Sequence, residues 1–385
     1  METVTIKKEQ FNMKNILRTT FVTLPMWLIT LVMITRLQFS DPINTISRLT
    51  VYFFFNILFF RIIFTGKVDR YRSVLFIATA IFFPISFVST LYLERGTFMV
   101  LSNEETLKCM VPFCHIVIPQ TLFTAIFKKD IIFPGTFNDF HYSIPVMLVI
   151  WLAATISLGR GFCGWICFYG GWEDGFSRLR KKPVIKILSK RLLLLPFAVL
   201  LVIATFSTAT LSAQYCWWLC PFKAVSEFPE VSSLLRVVQT MIFIILFTGL
   251  VIVLPILTKK RTQCSLLCPF GAMQSLTNKI SPFELRIDRQ KCTDCKLCIN
   301  NCPVFAMDEA SLKNGRTKIT CLKCGKCADQ CPQNAIYYHI KGTKLKMGVG
   351  FSKILYLYIA FILLAAMGGG FIIDSITKLL NLIIR

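Results

Sequence analysis

The sequence has few charged residues for its length, and acidic residues are especially scarce. Only 16% of its 385 residues are charged, whereas 55% are hydrophobic, and the mean hydropathy is +0.62. Such a composition is rare in soluble domains and typical of proteins with several membrane spans. Asp and Glu number 20 against 43 Lys and Arg, which gives a net charge of +23. These cations flank apolar stretches, as membrane orientation requires, so we expect no nucleic-acid partner.

Several common motifs are missing, and each absence argues against a class of function. The chain has only three histidines, His115, His141 and His339, and no pair of them lies within an apolar stretch, so intramembrane haem b is not expected. There is no C-x-x-C-H motif for covalent haem. There is also no G-x-x-x-x-G-K-[ST] loop, so an ATP-driven pump is not expected. No secretory signal with a cleavage site precedes the first apolar stretch.

The apolar stretches predict a mainly α-helical, polytopic membrane bundle of about seven spans, because a span of the ~30 Å hydrocarbon core needs about 20 apolar residues. The stretches are 17–38, 50–65, 73–93, 143–159, 191–212, 233–257 and 352–373. Basic residues precede the first stretch and follow the second, fourth and sixth, which places all of them on one side. The positive-inside rule makes that side cytoplasmic. We therefore expect a multi-pass protein of the cytoplasmic (inner) membrane, in contact with lipid, with its N-terminus cytoplasmic and its C-terminus outside. The segment 110–127 is interpreted as interfacial or re-entrant on the outer face.

Half of the sixteen cysteines form two copies of the run C-x2-C-x2-C-x3-C-P. Such a run holds a [4Fe–4S] cluster, and in paired runs the fourth ligand comes from the other run. The predicted ligand sets are Cys292, Cys295, Cys298 and Cys331 for one cluster, and Cys321, Cys324, Cys327 and Cys302 for the other. Zinc sites use pairs of cysteines and do not show this doubled run. The stretch from about 285 to 340 resembles bacterial two-cluster ferredoxins. We therefore expect a small α+β ferredoxin domain at 281–345, between a helix bundle at 1–280 and a last span at 346–385.

The other eight cysteines form four pairs, and each membrane face is expected to carry two of them. On the inner face lie Cys163, Cys167, Cys264 and Cys268; on the outer face lie Cys109, Cys114, Cys216 and Cys220. Four thiolates make one complement of ligands for a [4Fe–4S] or [2Fe–2S] cluster, so we hypothesise one or two further clusters. Three alternatives stay open: disulfides on the outer face, thiolate sites for copper or zinc, or buried small side chains.

The sequence also suggests roles for residues that lie near the cysteines. The glycines Gly159, Gly161, Gly164, Gly170 and Gly171 are expected to let backbone N–H groups approach a cluster. Lys296, Lys323 and Lys326, between the ferredoxin ligands, are expected to form a basic face that attracts an acidic donor. We interpret Glu173 and Asp174 as solvated loop charges, and His115 as an ordinary polar loop residue, although it could ligate a metal.

The motifs Cys216-Trp-Trp-Leu-Cys220-Pro221 and Cys264-Ser-Leu-Leu-Cys268-Pro269, followed by the ferredoxin runs, resemble the membrane polyferredoxin family over roughly 140–340. The related motif at Cys163 to Cys167 has Phe168 where a proline would be expected. The family includes the quinol-dehydrogenase-type subunit of periplasmic nitrate reductase, the nitrous oxide reductase donor and an oxidase accessory protein. The flavin attachment sequence of the nitrous oxide reductase donor is absent here.

The resemblance implies membrane electron transfer through iron–sulfur clusters. The donor would be a cytoplasmic ferredoxin or flavodoxin, or quinol with flow in the other direction, and a redox or metalloprotein partner would lie at the outer face. The alternative is a metal (copper) reductase or metalloenzyme assembly factor, and a redox sensor is a third possibility. Sites on opposite faces would be too far apart for efficient single-step transfer, unless re-entrant loops bring them closer. The sequence leaves open the direction, the terminal partners and the oligomeric state.

Overall fold

The structure is a computed structural model, and it describes most of the chain. The described residues are 13–37, 39, 41–95, 100–101, 114–132, 136–137, 140–141, 144–185, 190–225, 228–229, 233–343 and 349–384. Cys109 and residues 142–143 lie outside these ranges. So do residues 110–113, with which the predicted re-entrant segment begins.

Long apolar helices form the membrane part of the molecule. The bundle helices are α1 (Met13–Thr35), α2 (Pro42–Thr65), α3 (Val68–Arg95), α4 (Ile118–Lys128), α5 (Ile144–Leu158), α8 (Leu195–Thr210), α10 (Leu234–Leu246), α11 (Leu254–Thr258) and α17 (Val349–Ile384). Helix α10 continues into α11 through a π-helical stretch, Phe247–Val253. Within the described ranges, six helical segments are long and apolar enough to cross a membrane. The chain is therefore a multi-pass membrane protein.

The number of spans differs by one from the seven expected, because the fourth predicted span is short. Helix α5 has 15 residues, roughly 22 Å at 1.5 Å per residue, which is less than the ~30 Å core. Helix α4, inside the predicted re-entrant segment, has 11 residues and is shorter still. Helix α5 nevertheless ends at Leu158 on the same side of the bundle as Val68, where α3 begins, because both residues contact the ferredoxin domain. The chain therefore returns across the bundle between α3 and the end of α5.

Three apolar helices are each followed by a short helix and a sharp turn that carries a cysteine pair. The short helices and turns are α6 (Gly161–Trp165) with α7 (Phe168–Phe176), α9 (Gln214–Trp218) with the 3-10 turn Pro221–Ala224, and α12 (Thr262–Leu266) with α13 (Pro269–Thr277). In each copy the first cysteine lies in the first short helix. The second cysteine, Cys167, Cys220 or Cys268, is the N-cap of the next one. The two thiols therefore lie on the same side of the turn in all three copies.

The ferredoxin domain contains an antiparallel pair of strands, β5 (Phe283–Ile287) and β6 (Ile336–Ile340), with Phe283 opposite Ile340. The short pairs β1 (Val100–Leu101) with β4 (Phe228–Pro229), and β2 (Thr136–Phe137) with β3 (Phe140–His141), belong to the membrane part. Three short helices, α14 (Leu297–Asn301), α15 (Glu309–Asn314) and α16 (Lys326–Asp329), complete the domain. Helix α17 then returns to pack against α1, α2 and α3.

An aromatic cluster joins the ferredoxin domain to the bundle. The ring of Tyr356, in α17, lies 5.0 Å from Tyr338, 5.3 Å from Phe283 and 5.9 Å from Trp165, measured between ring centroids. Tyr356 and Trp165 are fully buried. Burial of side chains this large contributes a few kcal/mol each, so the two parts of the chain pack as one body at this interface.

Candidate iron–sulfur sites

The ferredoxin domain has two cavities, and each is lined by four cysteines. The first cavity is lined by Cys292, Cys295, Cys298 and Cys331. The second is lined by Cys302, Cys321, Cys324 and Cys327. Each set combines three cysteines of one run with the fourth of the other, as the sequence predicts. That these residues ligate clusters remains a prediction.

Backbone N–H groups point at several of these sulfurs, which suits thiolate ligands. Ala306 N donates to Cys302 Sγ at 3.2 Å, Ala335 N to Cys331 Sγ at 3.3 Å, and Lys323 N to Cys321 Sγ at 3.4 Å. Hydrogen bonds of this kind stabilise the deprotonated sulfur. Apart from Thr317, the other residues that line the second cavity are apolar, including Leu285, Val304 and Met307.

The two cavities differ in their access to solvent. Cys295 is exposed and Cys292 is half-buried. In contrast, the cysteines of the second cavity are only 7–9% exposed. The first cavity therefore faces outward, and the second faces the membrane bundle.

The loop of the second cavity lies directly on the turn between α5 and α6. A Cβ on Gly164 would lie 2.5 Å from the carbonyl oxygen of Leu322, so only glycine permits this contact. Trp165 Nε1 donates to the carbonyl oxygen of Lys323 at 3.1 Å. Lys323 Nζ enters the bundle, where it donates to Leu158 O at 2.7 Å, to Asn278 Oδ1 at 2.8 Å and to Ser281 Oγ at 2.9 Å.

Further polar contacts hold the domain against the bundle. The Asp329 carboxylate accepts hydrogen bonds from Val68 N at 2.9 Å and Asp69 N at 2.7 Å, so it caps the N-terminus of α3. Lys260 Nζ donates to Asn300 O at 2.6 Å and to Cys302 O at 2.8 Å. The ends of α3, α5 and α11 therefore all meet the ferredoxin domain on one side.

The expectation of a basic face made by three lysines is wrong. Lys323 is 2% exposed and Lys326 is 7% exposed, and burial lowers the pKa of Lys323 to about 7. Only Lys296 is exposed, and it pairs with Glu309 at 2.6 Å. Their position between ligands suggested solvent exposure, but the second run faces the bundle, so its lysines contact helix ends.

The four cysteines predicted for the inner site lie together and are buried. Cys163 and Cys167 each lie close enough to Cys264 for electrostatic interaction. Cys268 interacts electrostatically with Cys264 and Cys167. Gly271 N donates to Cys268 Sγ at 3.3 Å. The turns after α5 and α11 thus present four thiols to one small region.

Glu173 and Asp174 are not solvated loop charges, because each is only 1% exposed. Glu173 accepts from Cys264 N at 3.2 Å, and its carboxylate lies 3.8 Å from Arg261 Nε. Asp174 pairs with Arg72 at 3.1 Å. They sit on α7, whose glycines allow close packing against α3, and this tertiary contact removes them from solvent.

The glycines of this region also serve packing. A Cβ on Gly171 would lie 2.6 Å from Phe76 O, and a Cβ on Gly170 would overlap Arg261 Nη2 at 1.9 Å. A Cβ on Gly161 would lie 2.5 Å from Tyr356 Oη, and one on Gly159 2.4 Å from Asn278 Oδ1. Close contacts with protein atoms therefore account for these glycines, and the expected approach of their N–H groups to a cluster stays a prediction.

Three of the four cysteines predicted for the outer site are also brought together. Cys216 interacts electrostatically with Cys220 and Cys114, and Cys220 with Cys114. Cys109 lies outside the described residues. Gln120, on α4, holds the turn in place, because its Oε1 accepts from Tyr215 N and from Ser207 Oγ, both at 2.9 Å.

His115 and Tyr169 connect the inner and outer groups of cysteines. His115 Nε2 lies 3.1 Å from Cys167 Sγ, and Cys114 Sγ donates to Tyr169 Oη at 3.7 Å. His115 is 8% exposed and lies among the rings of Phe162, Phe168, Tyr169 and Phe270. The interpretation of His115 as an ordinary loop residue is therefore wrong. Short turns and α4 bring the two groups into the interior, so they are not separated by the full membrane thickness.

The thiols remain open to several kinds of ligand. All fifteen cysteines that the structure describes are free thiols. Within those same residues, no group of three or more His, Cys, Asp or Glu side chains has the arrangement of ligands around a single metal ion. In a [4Fe–4S] site each thiolate binds its own iron atom, so the four sulfurs lie farther apart than the ligands of a single ion.

The chain matches models of two known protein families. The family described as a 4Fe-4S binding domain matches residues 140–186, 192–236 and 240–288, and the family described as a 4Fe-4S dicluster domain matches 291–336. The first three matches coincide with the three helices and their cysteine turns. The cysteine motifs alone do not reveal this threefold repeat; the similar spacing of Cys163, Cys216 and Cys264 along the chain is the sequence signal for it.

Several curated proteins are similar to the chain. YccM of Escherichia coli K12, described as a candidate electron transport protein, is 26% identical over 51% of this chain and 56% of its own length. The regulatory protein NosR of Stutzerimonas stutzeri is 27% identical over 49% of this chain and 27% of its own length. The ferredoxin-type protein NapH of Haemophilus influenzae is 25% identical over 46% of this chain and 61% of its own length. The chain thus spans about half, or less, of the length of several of its relatives. No solved structure matches it.

Proposed function

Because the chain is a membrane 4Fe-4S protein of the polyferredoxin type, we propose that it transfers electrons between a soluble partner at the ferredoxin domain and a partner at the opposite membrane face. Clusters held at the cysteine sites would supply reversible one-electron transfer. The soluble partner would be a ferredoxin or flavodoxin that loses one electron, which the outer redox or metalloprotein partner gains. With membrane quinol as the donor, the flow would reverse.

The observation that carries this proposal is the unbroken series of cysteine sites. The loop of the second ferredoxin cavity contacts Gly164 and Trp165, the two residues that follow Cys163. His115, which follows Cys114 of the outer group, then lies against Cys167 of the inner group. A protein that only anchored a ferredoxin to the membrane would not need four further pairs of thiols in line with it.

The side chains around this series exclude water. Trp165, Phe162 and Phe270 are 0–1% exposed. A dry environment of this kind lowers the reorganisation that accompanies a change of charge, and it keeps reduced centres away from oxygen and protons. The role of the protein is to hold ligands, fix the spacing between sites and insulate them.

The orientation proposed from the sequence also gains support. Helix ends at Val68, Leu158 and Lys260 all contact the ferredoxin domain. Their adjoining loops contain the basic clusters that the positive-inside rule assigns to the cytoplasm. We therefore place the ferredoxin domain in the cytoplasm.

The proposal is tested by anaerobic purification of the full chain, followed by iron and sulfide counts and EPR. Two [4Fe–4S] clusters account for about eight iron atoms, and we expect more than this. Replacing Cys163 and Cys167 by Ala should remove the iron of the inner centre and leave the ferredoxin signals. Ser265→Ala, at a buried residue beside Cys264, is the control and should change nothing.

An iron content of only two clusters, with an unchanged spectrum in the double variant, would contradict the proposal. Copper bound at these cysteines in place of iron would instead favour the metal reductase or assembly role. Electron transfer is measured separately, by reduction of the extra centre after a reduced ferredoxin is mixed with protein in vesicles.

A further inference from the structure

Three guanidinium groups beside the inner cysteines are almost completely buried. Arg72, Arg160 and Arg261 are each 1–2% exposed. Arg72 and Arg261 have carboxylate partners at 2.7–3.8 Å, which are Asp69, Asp174 and Glu173. Burial of these two charges is therefore compensated by the protein itself.

Arg160 differs, because no carboxylate among the described residues pairs with it. Its Nη2 donates to Cys264 O at 3.0 Å and lies 3.8 Å from Cys264 Sγ. Its Nε is buried and has no hydrogen-bond partner. The backbone N–H of Arg160 is held by Asn278 Oδ1 at 2.9 Å, so the residue is fixed in place.

Gly271 lines the space between Arg160 and Cys264. A Cβ on Gly271 would lie 3.6 Å from Arg160 Nη2 and 3.7 Å from Cys264 Sγ. The guanidinium therefore reaches the thiol side of the turn without an intervening side chain.

A buried arginine stays protonated, and a buried cation without a counter-charge costs several kcal/mol. Neutral thiols or a disulfide would leave Arg160 without that charge. Four thiolates around an iron–sulfur core carry a net negative charge, which supplies it. The residues present therefore fit an anionic centre better than the neutral alternatives.

We propose that Arg160 is the charge partner of an anionic metal–thiolate centre held by Cys163, Cys167, Cys264 and Cys268, and that it raises the reduction potential of that centre. This proposal rests on the proposed function, because it requires a reducible centre at these four residues. A fixed positive charge favours the reduced state, which is more negative by one unit. Arg160 thus raises the reduction potential of the centre, although it is not one of its ligands.

The experiment compares Arg160→Gln and Arg160→Lys in the full-length protein, purified anaerobically. The reduction potential of each centre is measured by a redox titration that is followed by EPR. Arg160→Gln should lower the equilibrium constant for one-electron reduction of the membrane centre at least tenfold, which corresponds to 59 mV. Arg160→Lys, which keeps the charge, should restore most of the shift. Both ferredoxin-domain clusters should keep their potentials. Arg61→Gln, an exposed arginine of α2, is the matched control.

If Arg160→Gln prevents assembly, its iron content should fall by the extra centre alone, while Arg160→Lys retains it; this also supports the proposal. Unchanged iron and unchanged potentials in Arg160→Gln overturn the role of Arg160 but leave the extra centre in place. Equal losses in both variants overturn it too, because charge would then not be the property that matters. A wild-type protein with only two clusters overturns both this inference and the proposed function.

Discussion

His115 is the residue that joins the two groups of membrane cysteines. Its Nε2 contacts Cys167 Sγ at 3.1 Å, and it directly follows Cys114 in the chain. Four aromatic rings enclose its imidazole, so its position is set by packing as well as by the sulfur contact. The packing role and the sulfur contact can be separated by substitution.

We predict that His115→Phe keeps the packing and changes the EPR signal of the membrane centre, because it removes only the nitrogen near the sulfur. His115→Ala should change the same signal and also destabilise the protein by about 2–4 kcal/mol, since it opens a cavity. EPR spectra and thermal unfolding in detergent measure the two effects. A wild-type spectrum in His115→Phe would restrict His115 to packing.

At the scale of residues, the sequence indicates which side chains can bind a cluster better than it indicates which side chains are buried. The spacing of the cysteines is a local property, so the grouping of Cys292, Cys295, Cys298 and Cys331 could be predicted before the fold was known. The burial of Lys323, Glu173 and His115 depends on which surfaces meet in three dimensions. No local pattern distinguishes a lysine that faces solvent from one that enters a helix bundle.

At the scale of elements, a single carboxylate couples the ferredoxin domain to a membrane helix. Asp329 lies at the end of α16 and caps α3, which is more than 250 residues away in the chain. We predict that Asp329→Ala removes this cap and weakens the contact by about 1 kcal/mol, while Asp329→Asn, which keeps an acceptor oxygen, loses much less. Hydrogen exchange at residues 66–72 should rise about fivefold in Asp329→Ala. Equal exchange in the two variants would contradict the capping role.

A second capped element gives a prediction for the dependence on pH. Asp308 caps α15, where its Oδ1 accepts from Ser311 N at 2.8 Å and its Oδ2 pairs with Lys318 at 2.7 Å. Partial burial acts to raise the pKa of Asp308, but the hydrogen bonds from Lys318 and Ser311 lower it to about 2. The unfolded-state pKa is about 3.9. Since the folded value is lower, Asp308 stabilises α15 above pH ~4, and this contribution disappears as the pH falls toward 2.

Solvent screening limits the size of this effect to roughly 0.5–1 kcal/mol. We expect Asp308→Asn to increase hydrogen exchange across residues 309–314 at pH 7, and the difference from wild type to shrink below pH ~4. Exchange measured in short pulses under nitrogen would show it. A difference that stays constant from pH 7 to pH 3 would mean that the charge of Asp308 contributes nothing.

The helices themselves were largely predictable, because apolar length and charge define a span without tertiary information. The turns after α5, α8 and α11 were not, since a cysteine motif at the end of an apolar stretch gives no sign that the chain folds back toward the interior. The start of α3 and the residues after α11 meet the ferredoxin domain through hydrogen bonds that join distant parts of the sequence. Only the folded chain shows that His115 brings the inner and outer sites close to each other.

At the scale of the whole molecule, the sites are ordered from the solvent to the bundle. The first ferredoxin cavity has the exposed Cys295, whereas Cys324 of the second is 8% exposed and lies near Arg72 of α3. A soluble protein partner can therefore approach the first cavity, while the bundle covers the second. This order predicts different consequences for loss of one ligand from each site.

We predict that Cys324→Ala leaves the first site reducible by a reduced ferredoxin but prevents reduction of the membrane centre. In Cys295→Ala, the reduced ferredoxin should no longer reduce any of the sites. A small viologen, which does not depend on docking, should still reduce the second site and the membrane centre. Freeze-quench EPR of the full chain follows each signal in time, and hydrogen exchange across β5 and β6 shows whether the domain is still folded. Reduction of the membrane centre at the wild-type rate in Cys324→Ala would mean that electrons reach the bundle without the second site.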